Sequence, residues 1–305
     1  MMRITNAQIA AMMHGSMNSN AARLGQLMQQ MATGQRIIQP SDDPVASVRV
    51  LRLQREEAGI AQYRTNIQTV SGSLSVQETN LTAASDTLLN LRDLLVWAGN
   101  DTNGADELRA MAEEMSNIES TLVSFLNVRD TEGRYLLSGT YSDRPAVSFD
   151  SVSGTYSVTG NDRHRQAAVA TGVLIDENVT VMEVLGPGAD FLNEIHTLVS
   201  VLSDPALDAN DPVVKGQVRG ALDALDAVHR KLLVQVSELG GRQNMLTLLD
   251  ESQGDTSVVN QGIEGALTAL DYAGASIDLN EYKLAVQATQ QTYLKINQLS
   301  LFNLL

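Results

Sequence analysis

A mainly α protein is predicted: a long antiparallel helical bundle or coiled coil formed by the N- and C-terminal halves, with a small β-rich inserted domain. Three observations predict it. Apolar residues recur at alternating three- and four-residue steps along most of both halves. Strict period-two alternation is confined to about residues 140–188. All six prolines lie between positions 40 and 212, which leaves both terminal segments free of helix breakers. At 305 residues the chain is long enough for about two domains. With aromatics at only 4%, its core must be built from Leu, Val, Ile, Ala and Met.

The opening segment carries a loose stripe at Met13, Met17, Ala21, Leu24, Met28 and Met31. Asp43 followed by Pro44 then makes a helix start, an N-cap acceptor before a proline at the first helical position. Leu53, Glu56, Ile60, Tyr63, Ile67, Val70, Leu74, Gln77, Leu81, Ala84, Leu88, Leu91 and Leu95 follow as one heptad seam, broken only by Glu56 and Gln77. Gly99-Asn-Asp-Thr-Asn-Gly104 ends it. A helix over 44–98 is about 80 Å long at 1.5 Å per residue, too long for a compact globule. A second seam at Leu108, Met111, Met115, Ile118, Leu122 and Phe125 can fold back antiparallel on the first.

Within the insertion, Val147-Ser-Phe149 and Tyr156-Ser-Val158 alternate about a Ser153-Gly154 turn, and Val173-Leu-Ile175 and Val179-Thr-Val181 read as further strands. Asp211-Pro212 opens a third helical seam at Leu222, Leu225, His229, Leu232, Val236 and Leu239. Gly240, Gly241, Gly254 and Gly262 weaken that run and predict a bend or short break. The last stripe is Leu279, Tyr282, Val286, Thr289, Tyr293 and Ile296. Each end of the chain thus offers an amphipathic stripe, and the natural partner of one is the other.

Charge is uneven. Residues 1–100 hold eight basic and seven acidic groups, residues 101–305 hold 13 and 29, and the whole chain is at −15. This balance excludes a general nucleic-acid binder, which needs a basic face to displace counterions. The first 41 residues contain no acidic group, and Glu281, Lys283 and Lys295 are the only charges from 279 onward. Amides fill both ends instead. A buried amide needs only a hydrogen-bond partner, whereas an unpaired buried charge costs far more. Charge-poor ends therefore suggest surfaces that another chain covers; the plainer alternative is a charge-poor helix with no such role. Seven of the 11 methionines lie in the first 31 residues, and Met adapts to surfaces that repack.

Chemistry is hard to find. Cysteine is absent, removing disulfides, thiolate nucleophiles and thiolate metal sites. His14, His164, His196 and His229 are scattered, and Asp226-x-x-His229 lacks the second pair that a bundle di-metal centre needs. Glu194 and His196 are two apart and cannot chelate together. Asp42 and Asp43 read as caps rather than an acid–base pair. Asp101, Asn103 and Asp106 depart from calcium-loop spacing, and Arg163-His164-Arg165 reads as a small basic loop. No nucleotide-loop or serine-elbow pattern occurs, so no catalytic residue, cofactor or metal is expected. No run is long and apolar enough to span a bilayer, and the first residues lack the apolar core of a cleavable leader.

Met31-Ala-Thr33-Gly34-Gln-Arg36 with Ser41-Asp42-Asp43-Pro44 resembles the N-terminal signature of the flagellin superfamily of bacterial axial proteins. Leu239-Gly240-Gly-Arg242-Gln-Asn244 resembles an element of that superfamily's C-terminal half, and Gln298-Leu-Ser-Leu-Phe302 its terminal helix. Within the superfamily, the opening Met-Arg-Ile-Thr, Pro40-Ser-Asp-Asp-Pro44 and Gly133-Arg-Tyr-Leu-Leu-Ser-Gly139 are most similar to the hook-associated type 3, or hook–filament junction, family. The resemblance implies a structural subunit, exported unfolded through the flagellar type III pathway without leader cleavage and located outside the cell. Its implied partners are hook-associated protein type 1, flagellin, further copies of itself and a flagellar export chaperone, with no nucleic acid and no membrane insertion. It implies a terminal coiled-coil polymerisation domain of 1–40 plus 266–305, a helical bundle of 41–139 plus 189–265, and an outer insertion of 140–188. The covered stripes would be Ile4, Met13, Met17, Leu24, Met28 and Met31 at one end, and Leu279, Tyr282, Val286, Tyr293, Ile296, Leu299, Leu301 and Phe302 at the other. Filament flagellin is the nearest rival reading, and a helical-hairpin signalling module a more remote one.

Overall fold

The computed structural model describes the chain from Asn6 to Phe302 apart from residue 101, with side chains described from Gln8 to Lys295. Its elements are α1 (Asn6–Thr33), α2 (Pro44–Ala98), α3 (Ala105–Leu126), β1 (Val147–Asp150), β2 (Thr155–Val158), β3 (Gln166–Ala170), β4 (Val173–Asp176), α4 (Val181–Leu185), α5 (Asp190–Leu202), α6 (Pro212–Thr268) and α7 (Tyr272–Phe302). The helices begin where the capping chemistry puts them: Asp43 Oδ1 accepts the Ala46 N–H at 3.0 Å, and Asp211 Oδ1 the Val213 N–H at 2.8 Å.

The chain divides into two compact units, Met1–Gly59 with Asp255–Leu305, and Ile60–Gly254. The terminal unit therefore reaches further along α2 and α6 than the expected limits of 40 and 266. Helical pairing does not stop at those limits: Gln54 donates to Glu264 at 2.7 Å and Ser257 to Glu57 at 2.6 Å. The insertion forms no third unit, because Val147, Val169, Ile175 and Val179 are buried in the same core as the helices.

In the larger unit α2 and α6 run antiparallel, shown by the falling order of their partners. Arg64 meets Asp250, Glu78 meets Gln243, Ser85 meets His229, and Arg92 meets Asp226. The predicted α2 seam from Ile60 to Leu95 is buried except for the half-buried Tyr63, and it packs with Leu108, Met111, Met115 and Leu122 of α3 and with Phe191, Leu192, Ile195 and Leu198 of α5. On α6 the buried phase is Ala221, Leu225, Val228, Leu232, Gln235 and Leu239, so Leu222, His229 and Val236 are flanking positions. Leu126 is likewise the buried end of the α3 seam, with Phe125 beside it.

Two expectations fail for a physical reason. Residues 179–181 do not pair as a strand: Val181 starts α4, whose Thr180 N–H is capped by Glu183 at 2.7 Å. The strand that pairs instead is β3, an Ala-rich run that carries no strand pattern of its own. Nor is α6 interrupted at its glycines. It is helical through Gly240, Gly241, Gly254 and Gly262, since buried Leu239 and Leu246 hold the helix while propensity alone would weaken it. The break lies at residues 269–271.

Buried and half-buried amides organise the rest. Gln77, fully buried, donates to the Glu177 carbonyl at 2.9 Å and accepts the Val179 N–H at 2.9 Å. Asn127 pairs with both backbone groups of Val147, and Asn193 with both of Tyr156, so the outer edges of the β1–β2 hairpin are closed at those points. The substitution Gln77→Leu keeps the volume and strands the Val179 N–H. We expect it to lower unfolding free energy by about 2 kcal/mol in urea titrations, with an unchanged slope.

Candidate functional site

The terminal unit brings α1 and α7 side by side. Its α1 seam is Met13, Met17, Asn20, Leu24, Leu27 and Met31, of which Leu27 is buried and the others half-buried. Met28, expected on this stripe, is 58% exposed, and Ala21 is exposed too. The covered positions there are Asn20 and Leu27, each one residue before the expected Ala21 and Met28, because a half-covered seam admits a polar Asn. On α7 Leu279, Tyr282, Val286, Thr289 and Tyr293 are all half-buried, as one face requires. His14 Nε2 lies 3.1 Å from the Tyr293 hydroxyl, with the rings edge to face. Ile4 lies outside the described residues; Ile296, Leu299, Leu301 and Phe302 fall where side chains are not described.

The N-terminal signature builds a clasp between the α1–α2 turn and the α6–α7 turn. Gly34 ends α1 at φ +70, its N–H donating back to the Gln30 carbonyl at 2.8 Å. Its own carbonyl accepts the Leu270 N–H at 3.0 Å, and the Arg36 N–H donates to the Thr268 carbonyl at 2.7 Å. The two turns therefore share a short backbone ladder across the Gln35–Ala269 bridge. Arg36 spans it: one guanidinium nitrogen donates to the Leu267 carbonyl and another to Asp43 Oδ2, both at 3.1 Å. Gln30 holds the Arg36 carbonyl at 2.6 Å, and the Tyr272 hydroxyl donates to the Met31 carbonyl at 3.2 Å. A Cβ at Gly34 would stand 3.1 Å from that same hydroxyl.

The paired aspartates divide the work as caps. Asp42 Oδ2 accepts the Ile38 and Gln39 N–H groups, both at 2.9 Å, while Oδ1 takes the Gln26 amide at 2.9 Å. These bonds hold the Asp42 carboxyl below the ordinary aspartate range, the Gln39 N–H contributing most. Asp43 is lowered as well, first by the Ala46 N–H and then by Arg36. Thr33 caps locally onto the Gln29 carbonyl at 3.0 Å, Ser41 is exposed and Pro44 opens α2.

The C-terminal signature element does not join this clasp; it lies in the larger unit. Leu239 is buried there, Gly240 is half-buried, and Asn244 is exposed. Arg242 donates to the Asn178 carbonyl at 3.3 Å, steadying the 177–179 segment that Gln77 also grips. Arg165, from the small basic loop, is half-buried and donates to the Gly139 carbonyl at 2.6 Å. Gly139 itself sits at φ +72, where a Cβ would lie 2.1 Å from Asn161 Oδ1.

Histidines serve as structure: His229 meets Ser85 at 2.9 Å, and His196 meets the buried Glu119 at 3.0 Å. Among the described residues no group of three or more metal-binding side chains gathers, and no helix is long and apolar enough to cross a membrane.

What the terminal unit lacks is a core. Among the described residues it buries three hydrophobic side chains, Leu27, Ala46 and Ala275, while leaving twelve large ones exposed. The larger unit buries 41. An arrangement so short of internal burial offers contact area. No sequence signal marked Tyr272 or Thr268: Thr268 acts through its backbone carbonyl, and the Tyr272 hydroxyl reaches a carbonyl far away in sequence.

Residues 4–142 match the family model for the bacterial flagellin N-terminal helical region. The chain is 28% identical to flagellar hook-associated protein 3 of Salmonella typhimurium over 96% of each chain, and 25% identical to the Escherichia coli protein of that name over 99% of this chain and 95% of that one. A solved structure of a candidate flagellar hook-associated protein from Vibrio parahaemolyticus is 34% identical, with a TM-score of 0.68, covering 75% of this chain and all of that one.

The clasp has a signed pH dependence. Because both carboxyls are lowered in the fold, their contribution is present above the ordinary aspartate value, about 4, and is lost as pH falls through the lower folded values. The protection of the Leu270 amide, measured as its exchange rate relative to the intrinsic rate at each pH, should therefore fall selectively on acidification. Arg36→Ala should speed that same amide several-fold at neutral pH and leave amides of α3 and α5 unchanged.

Proposed function

Because the chain belongs to the hook-associated protein 3 family of flagellin-like axial proteins, we propose that it is a structural subunit of the bacterial flagellum, forming the layer between hook and filament. The observation that carries this reading is the terminal unit, whose described residues include three buried hydrophobic side chains and twelve exposed large ones, a surface suited to burial against neighbours. Copies assemble through heterologous contacts in a helical or ring array, with hook-associated protein type 1 on one side and flagellin on the other. The terminal segments 1–40 and 266–305 polymerise, the helical residues 41–139 and 189–265 form the body, and 140–188 faces outward. Export is through the flagellar type III pathway without leader cleavage, with a chaperone holding the C-terminal segment beforehand. No catalysis and no cofactor is involved.

Ordering that is completed only on assembly delays its entropy cost and guards against premature polymers. Limited proteolysis of free monomer should trim roughly residues 1–40 and 266–305 while a helical middle survives. Protected ends in a monodisperse monomer would count against assembly-coupled ordering.

Immunolabelling of intact flagella should give one thin band at the junction. Staining along the fibre would instead make the chain a filament flagellin. Tyr293→Asp places a charge in the α1–α7 seam and should abolish motility with the protein still soluble.

A further inference from the structure

Within the larger unit α2 carries a second face at three- and four-residue steps: Thr65, Thr69, Gly72, Val76 and Thr79, all exposed. The three threonines turn their hydroxyls back to carbonyls of their own helix, at 2.9, 3.1 and 2.9 Å, which leaves their methyl groups as the outward surface. A cleft of about 450 Å³ opens along this face, with Thr69, Gly72 and Val76 on one side and Arg129, Arg134 and Leu136 on the other. On α6 the relief is reversed. Val234, Ser237, Gly241, Met245 and Leu248 are exposed at the same steps, and the large apolar groups Met245 and Leu248 are 47% and 66% exposed. Residues 60–254 hold 27 acidic and 13 basic groups, yet neither face contains one. Each face lies across its helix from the buried residues, Val70 and Leu74 on α2 and Leu239 and Leu246 on α6, so the two cannot meet within one copy. The Arg64–Asp250 and Arg92–Asp226 pairs fix the level of one helix against the other. Between those pairs Leu248 stands level with Thr65, Met245 falls between Thr69 and Gly72, Gly241 between Gly72 and Val76, and Ser237 level with Thr79.

We propose that these faces are the two halves of one lateral contact between copies of this chain, α6 of one copy lying antiparallel on α2 of the next with no axial shift between the copies. Met245 then enters the cleft beside Gly72, Leu248 covers the Thr65 and Thr69 methyls, and Gly241 leaves room for Val76, so that large groups meet small ones along the whole register. Glycine weakens a helix interior, and neither position needs it inside the copy: a Cβ at Gly72 or Gly241 would meet no atom within 4 Å. Both admit the close approach of a neighbour. The relief also selects the partner face. Two α2 faces would leave the cleft empty, and two α6 faces would set Met245 and Leu248 against their own kind. Copies that stay level can repeat the contact around a single layer, and because the faces differ it is heterologous. It is about 20 Å long at 1.5 Å per residue, short of what a stable dimer buries, so free copies stay separate and the contact accumulates only in the array. This deepens the assembly reading above and rests on it for its biological setting, but not for its measurement.

The chain has no cysteine, so a disulfide can report the contact directly. Purified full-length T79C and S237C chains are mixed at high concentration and oxidised. Mixed dimers are expected to exceed either self-dimer, and a chain carrying both substitutions should give a ladder of oligomers. Adding G72L to the T79C chain fills the cleft and should lower the mixed yield roughly tenfold; adding M245A to the S237C chain vacates the same space and should restore most of it. Circular dichroism of each variant verifies its fold. Mixed dimers no more abundant than self-dimers mean random collision and overturn the proposal, as does a G72L loss that M245A does not repair. A ladder in solution from a chain that is missing from the junction in labelled flagella would refute the junction role alone; a labelled junction with no excess of mixed dimers would refute this contact alone.

Discussion

Helices packed side by side can bury only the residues that face one another, and the terminal unit has little else to bury. Leu27, Ala46 and Ala275 are enclosed, while the methionines and tyrosines of the α1–α7 seam stay half-covered. At about 25 cal/mol per Å² of apolar surface removed from water, so little enclosure gives a weak unit on its own. The same deficit makes further burial by a neighbouring subunit favourable. Among the described residues burial is concentrated in 60–254.

A weakly cored unit still has to present its helices in a definite relation, and the clasp supplies that. Its bonds run mostly to backbone: Gly34 to Leu270, Arg36 to Thr268 and Leu267, Asp42 to Ile38 and Gln39. Such bonds depend on chain geometry more than on side-chain packing, so they can fix two turns where no core exists. The aspartates serve here as fixed anions for orphan N–H groups, which explains adjacent carboxylates without any chemistry.

The larger unit uses buried polar groups differently. Gln77 interrupts an apolar seam only to hold the chain between β4 and α4, and Arg242 reaches the same segment from α6. Asn127 and Asn193 close strand edges that would otherwise offer free backbone to a neighbour. Strand edges closed in this way offer no backbone for pairing with another strand.

The sequence by itself determined the helices whose burial is periodic. The 44–98 helix was legible to its ends, because a cap, a proline and a glycine-rich stop bracket a seam of leucines that must be buried together. The β1–β2 hairpin was legible from its alternation and its Ser153-Gly154 turn. Tertiary structure alone decided what local pattern leaves open. It paired Ala-rich β3, kept α6 helical through four glycines, and set the one-residue phase that buries Leu27 and exposes Met28. It also divided the signature residues, drawing Gly34, Arg36, Asp42 and Asp43 into the clasp and leaving Leu239 and Arg242 in the other unit. Heptad steps tell a helix which side to bury to within a residue, but which of two adjacent residues goes in is settled by the partner's shape.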